Sequence, residues 1–275
     1  ITFVKILRSM GIIRFLLALS VLLSHLEIPG DFSILDNGSD AVQLFFIISG
    51  FYMFLTYENK YKTFSRNPSF YFYTNRLLRI YPMYFVILIA TIIYALYSSK
   101  FSQHIPNKFA VYIAFKEQLN SCLLYGLFIN NFSLFGMEIL AFFKIYGSNL
   151  VLKWSPNTNT SADVMSQFQF VPQAWSLGME CWFYLLCPFL AKLKNKKIFI
   201  LITVLLIVKI FFLYYVSNDY HWQYRFLPFE LILFLLGALV FRLYKRGTIS
   251  IGKNRKLIFG LILFSIFFLN TFSNY

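Results

Sequence analysis

Apolar runs about twenty residues long recur along this chain, and nothing else in it limits the possible folds so severely. Crossing the hydrocarbon core of a bilayer takes roughly 20 residues of helix. Runs of that kind occupy 10–28, 40–57, 78–98, 174–191, 198–216, 224–242 and 257–274. A removable signal peptide would account for one such run at the N-terminus and for none of the others. The stretch 119–143 is also apolar but is interrupted by Asn130, Asn131, Gly136 and Glu138. It is either a full crossing or a re-entrant or surface-lying element. Composition agrees with a membrane chain: 59% of residues are hydrophobic and only 13% charged, against about 25% charged in soluble domains. The mean hydropathy is +0.64. Open sheets cannot sit in lipid with unpaired backbone groups, so runs like these imply helices. The expected fold is all-α, a polytopic integral membrane helical bundle of about eight or more spans, forming a single transmembrane domain over 1–275.

A net charge of +14 would suit a nucleic-acid partner if it were gathered on a soluble face, but it is not. Basic residues fall between the apolar runs: Lys60, Lys62, Arg66, Arg76 and Arg79, then "KLKNKK" at 192–197, then Arg242, Lys245, Arg246, Lys253, Arg255 and Lys256. The positive-inside rule places these three loops, and an N-terminus carrying Lys5 and Arg8, in the cytoplasm. Helix 10–28 then runs outward, 40–57 inward and 78–98 outward. Helix 174–191 must run inward to deliver "KLKNKK", so 99–173 holds an even number of crossings: either 119–143 is re-entrant or surface-lying, the favoured reading, or 105–143 folds into two short crossings. The polar segment 153–170 is expected as an exposed outer loop. Three cysteines, Cys122, Cys181 and Cys187, form neither a disulfide framework nor a zinc pattern. No metal is expected.

Four polar features interrupt the apolar pattern. In "RFLLALSVLLSH", Arg14 and His25 are eleven residues apart, which puts them about 20° apart on one helix face with a rise of roughly 16 Å. An arginine at an interface can simply snorkel, but a histidine within a span is costly and usually faces the bundle interior. "FFIISGF" (45–51) carries a Ser-Gly pair, which alone reads as close helix packing through small residues. "RLLRIYPMY" (76–84) sets Arg76 and Arg79 one turn apart at the start of a span. They read as topology anchors or as a fork for phosphate, which arginine binds bidentately. "WSLGME" (175–180) puts Glu180 near the outer start of another span, as an interfacial carboxylate or a partner for a histidine or a substrate hydroxyl.

In this order the four features resemble the membrane-bound acyltransferase family 3, the polysaccharide O-acetyltransferases. The matching residues are Arg14 and His25; Phe45, Phe46, Ser49, Gly50 and Phe51; Arg76, Arg79, Ile80, Pro82 and Tyr84; and Trp175, Ser176, Leu177 and Glu180. "RFLPFELILFLLGAL" (225–239) is similar to a later family helix. Each motif alone is weak; it is their order and topology that carry the resemblance. One departure is Gln43 in "AVQLFF", where the family often has a carboxylate, so no acidic role is expected on that helix. The family usually has about ten spans, so this chain is expected to be a short member or a fragment.

The resemblance implies an acyl, most simply acetyl, group moved from cytoplasmic acyl-CoA to a hydroxyl of a surface polysaccharide or glycolipid. It also implies a multi-pass protein of the bacterial inner membrane with membrane lipid and no nucleic acid as partner. Arg76 and Arg79, with Arg14, would hold the CoA phosphates. His25 would act as general base, with Glu180 orienting it or holding the acceptor. Ser49 would donate to the oxyanion, and Trp175 and Ser176 would contact substrate. A neutral histidine can take a hydroxyl proton at physiological pH. Direct transfer and an acyl-histidine relay both remain open. The rival class is a transporter or flippase of an envelope glycan, since intramembrane polar residues also mark substrate pathways. The inverted repeat usual in transporters is not seen.

Overall fold

The computed structural model describes residues 2–24, 38–64, 66–101, 108–146, 149–152, 165–217 and 220–247. His25 and the apolar run 257–274 lie outside them.

The apolar runs within the described residues fold as helices, close to the boundaries read for 40–57, 174–191, 198–216 and 224–242 but starting eight and ten residues earlier than read for 10–28 and 78–98. α1 is Thr2–Ser24, and α2 is Gly38–Thr56, which continues through a π turn (Tyr57–Tyr61) into α3, Lys62–Phe64. α4 is Pro68–Phe101, α5 Lys108–Ala114 and α6 Ser121–Asn130. α7 is Trp175–Ala191, α8 Asn195–Tyr215, α9 Tyr220–Tyr224 and α10 Leu227–Lys245. Five helical stretches are long and apolar enough to cross a membrane: Gly38–Tyr61, Pro68–Tyr97, Pro172–Ala191, Asn195–Tyr215 and His221–Lys245. In α1 the apolar part, Met10–Leu23, is shorter. The strands among the described residues form one short antiparallel hairpin, β1 (Phe143–Tyr146) with β2 (Asn149–Leu152).

Three helices run in the same direction and form the centre. Cross-contacts keep one register along α2 and α10, from Ile47 beside Gly237 to Glu58 beside Lys245. α7 follows them, with Phe183 between Phe46 and Phe234 at one level and its last carbonyls meeting Arg242 at the next. α8 returns antiparallel, since Asn195 meets Arg242 while Lys209 meets Glu230. This matches the alternation that the basic loops require.

Glycine decides how closely α2 and α10 approach. A Cβ on Gly50 would collide with the Phe234 carbonyl, and one on Gly237 with the Ile47 carbonyl. The two backbones therefore touch without side chains between them, the packing available to small residues in a bilayer. Arg242 closes the basic end of this core. It donates to the carbonyls of Leu193 (2.6 Å) and Ala191 (3.0 Å) and to Asn195 Oδ1 (3.0 Å), satisfying groups that the C-terminus of α7 leaves unpaired. The outward faces of α4 and α8 stay apolar and uncovered, with Leu78, Val86, Ile93, Phe199, Ile207 and Phe211 all exposed. That is the surface a lipid-facing helix presents.

The interrupted stretch 119–143 does not cross. Its helix α6 has ten residues, about 15 Å of rise against the ~30 Å of a hydrocarbon core. It ends at Asn131, whose amide organises the surrounding fold. Asn131 Nδ2 donates to the carbonyls of Leu127 and Phe168 (3.0 Å each), and Oδ1 accepts from the Phe170 amide at 2.7 Å. The Asn131 carbonyl accepts from the Tyr84 hydroxyl on α4 at 2.5 Å. This corrects the expectation of an exposed loop over 153–170. Residues 153–164 lie outside the described residues, but Met165, Phe168 and Phe170 are buried. Their rings and sulfur pack on Tyr112, Leu127 and Phe128, and Asn131 satisfies the backbone that this burial removes from water.

Candidate active site

One face of α2 carries three polar side chains. Ser49, Tyr52 and Thr56 are spaced i, i+3, i+7, a single helix face, opposite the glycine face that meets α10. The "SG" pair thus divides its work: Gly50 packs on α10, while Ser49 points to Arg14. On α4 the buried positions Phe72, Arg76, Ile80, Tyr84 and Leu88 recur every fourth residue, so Arg76 faces α2 from inside the bundle.

Arg14 is not a snorkelling anchor. Its Nη2 donates to Glu180 Oε1 at 2.6 Å and to Ser49 Oγ at 3.0 Å, and its guanidinium lies 4.4 Å from the Phe45 ring centroid. The side chains of Arg14 and Glu180 are 11% and 5% exposed, so the pair is shielded and each charge depends on the other. Tyr184, one turn along α7, is buried on the same helix. Three of the four residues expected in the catalytic role, Arg14, Ser49 and Glu180, therefore meet at one point. His25, the fourth, lies outside the described residues. Glu180 was expected to orient His25 or hold the acceptor; among the described residues its carboxylate meets Arg14.

Below this pair, toward the basic end of the bundle, lies the second group. Arg76 is 4% exposed. Its Nη2 donates to Thr56 Oγ1 at 2.6 Å, and Thr56 in turn donates to the Tyr52 carbonyl. The Arg76 Nε is buried without an acceptor. Arg79 is exposed and reaches the same region from the neighbouring face. Among the described residues, no carboxylate forms an ion pair with either arginine. Both instead meet Tyr52, whose ring centroid is 5.0 Å from the Arg76 guanidinium, 5.8 Å from that of Arg79 and 5.4 Å from that of Arg14.

The remaining expected residues, Trp175 and Ser176, lie at the start of α7. Trp175 is buried, with the Arg225 guanidinium 4.7 Å over its ring and Tyr224 edge-on. Ser176 donates to the Gln173 carbonyl. Gly178 of the same motif has a packing reason. A Cβ there would come within 2.5 Å of the Leu134 carbonyl and 2.8 Å of Glu138 Oε2. Glu138 is itself buried, accepts from the Trp182 indole at 2.8 Å and leaves Oε2 unpartnered. Burial pushes its carboxyl above the usual range, against the opposing indole N–H.

Sequence reasoning passed over Tyr52, Thr56 and Tyr184, although all three sit at i+3, i+4 or i+7 from residues it singled out. It also missed Lys209, which lies 3.7 Å from Glu230 in the bundle and donates to the Gln223 carbonyl. Gln43 faces this Glu230 carboxylate, so an acidic group does stand beside the "AVQLFF" helix, supplied by α10. Among the described residues, no cluster of potential metal ligands is present.

Long apolar helices, buried arginines and lipid-facing flanks define the class: a polytopic helical membrane protein. A family model described as an acyltransferase domain matches residues 7–275. The chain belongs to that family, membrane-bound acyltransferase family 3, and is a membrane acyltransferase. No curated protein and no solved structure matches it.

Proposed function

We propose that this acyltransferase takes an acetyl or similar acyl group from CoA thioester on the cytoplasmic side of a bacterial inner membrane and delivers it to a hydroxyl of a cell-surface carbohydrate. The observation that carries the reading is the Arg76–Arg79 pair. A cation as buried as Arg76, with one N–H unmatched and no carboxylate beside it, is costly unless an anion completes it. The pair lies at the end of the bundle where Arg242, Lys245 and the "KLKNKK" turn gather, which the positive-inside rule assigns to the cytoplasm. Acyl-CoA is made there, and its phosphates suit paired guanidinium groups.

From the phosphate site the pantetheine arm extends along the polar face of α2 toward Arg14. His25, eleven residues beyond Arg14 in the sequence, takes the proton of the acceptor hydroxyl. The oxygen attacks the thioester carbonyl, the C–S bond breaks, and histidinium returns the proton to the CoA thiolate. Ser49, which accepts from Arg14, keeps its own proton for the carbonyl oxygen. Glu180 holds Arg14 in place.

The test is donor binding. Arg79→Lys keeps the charge but loses the fork and should weaken CoA affinity by about tenfold, one good charge-assisted hydrogen bond. A topology anchor would tolerate lysine, and unchanged CoA affinity would remove the phosphate site. His25→Ala should insert normally and lose acceptor acylation.

A further inference from the structure

We infer that Tyr52 is a positioning residue for the acyl donor, joining the Arg76–Arg79 pair and Arg14 into one continuous cationic track. This rests on the reading of Arg76 and Arg79 as the donor phosphate site. Among the described residues, Tyr52 is the one side chain whose ring lies within 6 Å of all three guanidinium groups. It sits one turn from Ser49 and one turn from Thr56 on the same face of α2, and therefore midway between the two arginine stations.

The chemistry explains why an aromatic residue stands there. Three guanidinium groups so close repel one another and need something between them. A carboxylate would hold them but would also neutralise them, and an incoming phosphate would have to displace it. The face of a tyrosine ring attracts cations through its quadrupole without carrying a full negative charge. Arg76 and Arg79 are thus held in position while their charge stays available to an anion. Arg14 differs in having Glu180, and its contact with the same ring fixes the spacing between phosphate site and reaction site.

The experiment uses the full chain in lipid nanodiscs, with CoA as the probe, calorimetry for affinity and thermal unfolding for stability. Tyr52→Phe keeps the ring and should leave CoA binding within about threefold of the parent. Tyr52→Leu removes the ring and should cost roughly 30-fold, the worth of a desolvated cation–ring attraction. Tyr52→Glu is the decisive variant. It should unfold at the same or a higher temperature, because it pairs with the arginines, yet bind CoA at least ~100-fold more weakly because it occupies their charge. A residue that only props up the bundle would move stability and affinity together. If the Leu and Glu variants both bind CoA within twofold of the parent while Arg79→Gln loses it, the role of Tyr52 is refuted and the phosphate site stands. If Arg76→Gln and Arg79→Gln also bind normally, the phosphate site itself fails.

Discussion

The pairing of Arg14 with Glu180 makes a quantitative demand on the bundle. Their polar atoms are 2.6 Å apart and both side chains are nearly inaccessible. With charge centres about 4 Å apart and an effective dielectric near 20, their attraction is about 4 kcal/mol. Removing one partner leaves the other charge buried and uncompensated, which typically costs about 3–5 kcal/mol. Glu180→Gln and Arg14→Gln should therefore each destabilise the chain by roughly 3 kcal/mol. The double variant removes both charges together and should lose about 3 kcal/mol, not the ~6 kcal/mol of the sum, a coupling of about 3 kcal/mol. Unfolding in mixed micelles, followed by circular dichroism, measures all four proteins. If Glu180 mainly served another group, such as His25, the two losses would add. A coupling below about 0.5 kcal/mol would refute the assignment of Glu180 to Arg14.

Further outcomes follow from particular contacts. Gly50→Ala and Gly237→Ala should each destabilise the bundle by about 1–3 kcal/mol, the usual cost of forced overpacking. The two together should cost less than their sum, because one separation of α2 from α10 accommodates both methyl groups; unfolding of the variants checks this. Inserting one alanine after Leu19 rotates His25 by about 100° relative to Arg14. Activity should fall nearly as far as in His25→Ala while abundance and topology persist, and a retained rate would make the spacing incidental. Glu138 sets a pH dependence. Its folded carboxyl binds its proton more tightly than the ordinary value of 4.5. Its contribution to stability is therefore complete below pH 4.5 and is lost as pH rises through the raised value. Glu138→Gln should flatten that slope in unfolding measured across the acid range.

What could be read from the sequence and what could not divide along physical lines. Helix positions were legible because crossing a bilayer forces a minimum apolar length, so α2, α7, α8 and α10 begin and end within a few residues of the runs. The meeting of Arg14, Ser49 and Glu180 was half legible. Each was singled out as a polar group in an apolar setting, but which of them would touch depends on helix rotation, and one sequence does not give that. The same limit hid Tyr52. A tyrosine in an aromatic-rich helix looks like lipid-facing or core filling until the neighbouring arginines are placed. Lys209 and Glu230 were hidden because they are distant in sequence and meet only when α8 folds back antiparallel on α10. Asn131 was visible as an interruption of an apolar stretch. Its four-way bonding was not, because two of its partners come from the far end of the loop, at Phe168 and Phe170.

The backbone contact between α2 and α10 also bears on how such a chain can change over generations. Gly50 lies against Phe234 and Gly237 against Ile47, with no side chain at either point that could shrink to make room. An ordinary core can absorb a larger residue by trimming its neighbour; here the neighbour is main chain, which every amino acid shares. Drift at either glycine therefore cannot be compensated by a second substitution across the interface, and can be met only by moving a whole helix, which would also carry Ser49 and Tyr52 away from their arginines. Both positions should be closed to variation among chains that keep this site, while the lipid-facing residues of α4 and α8 exchange freely among apolar types.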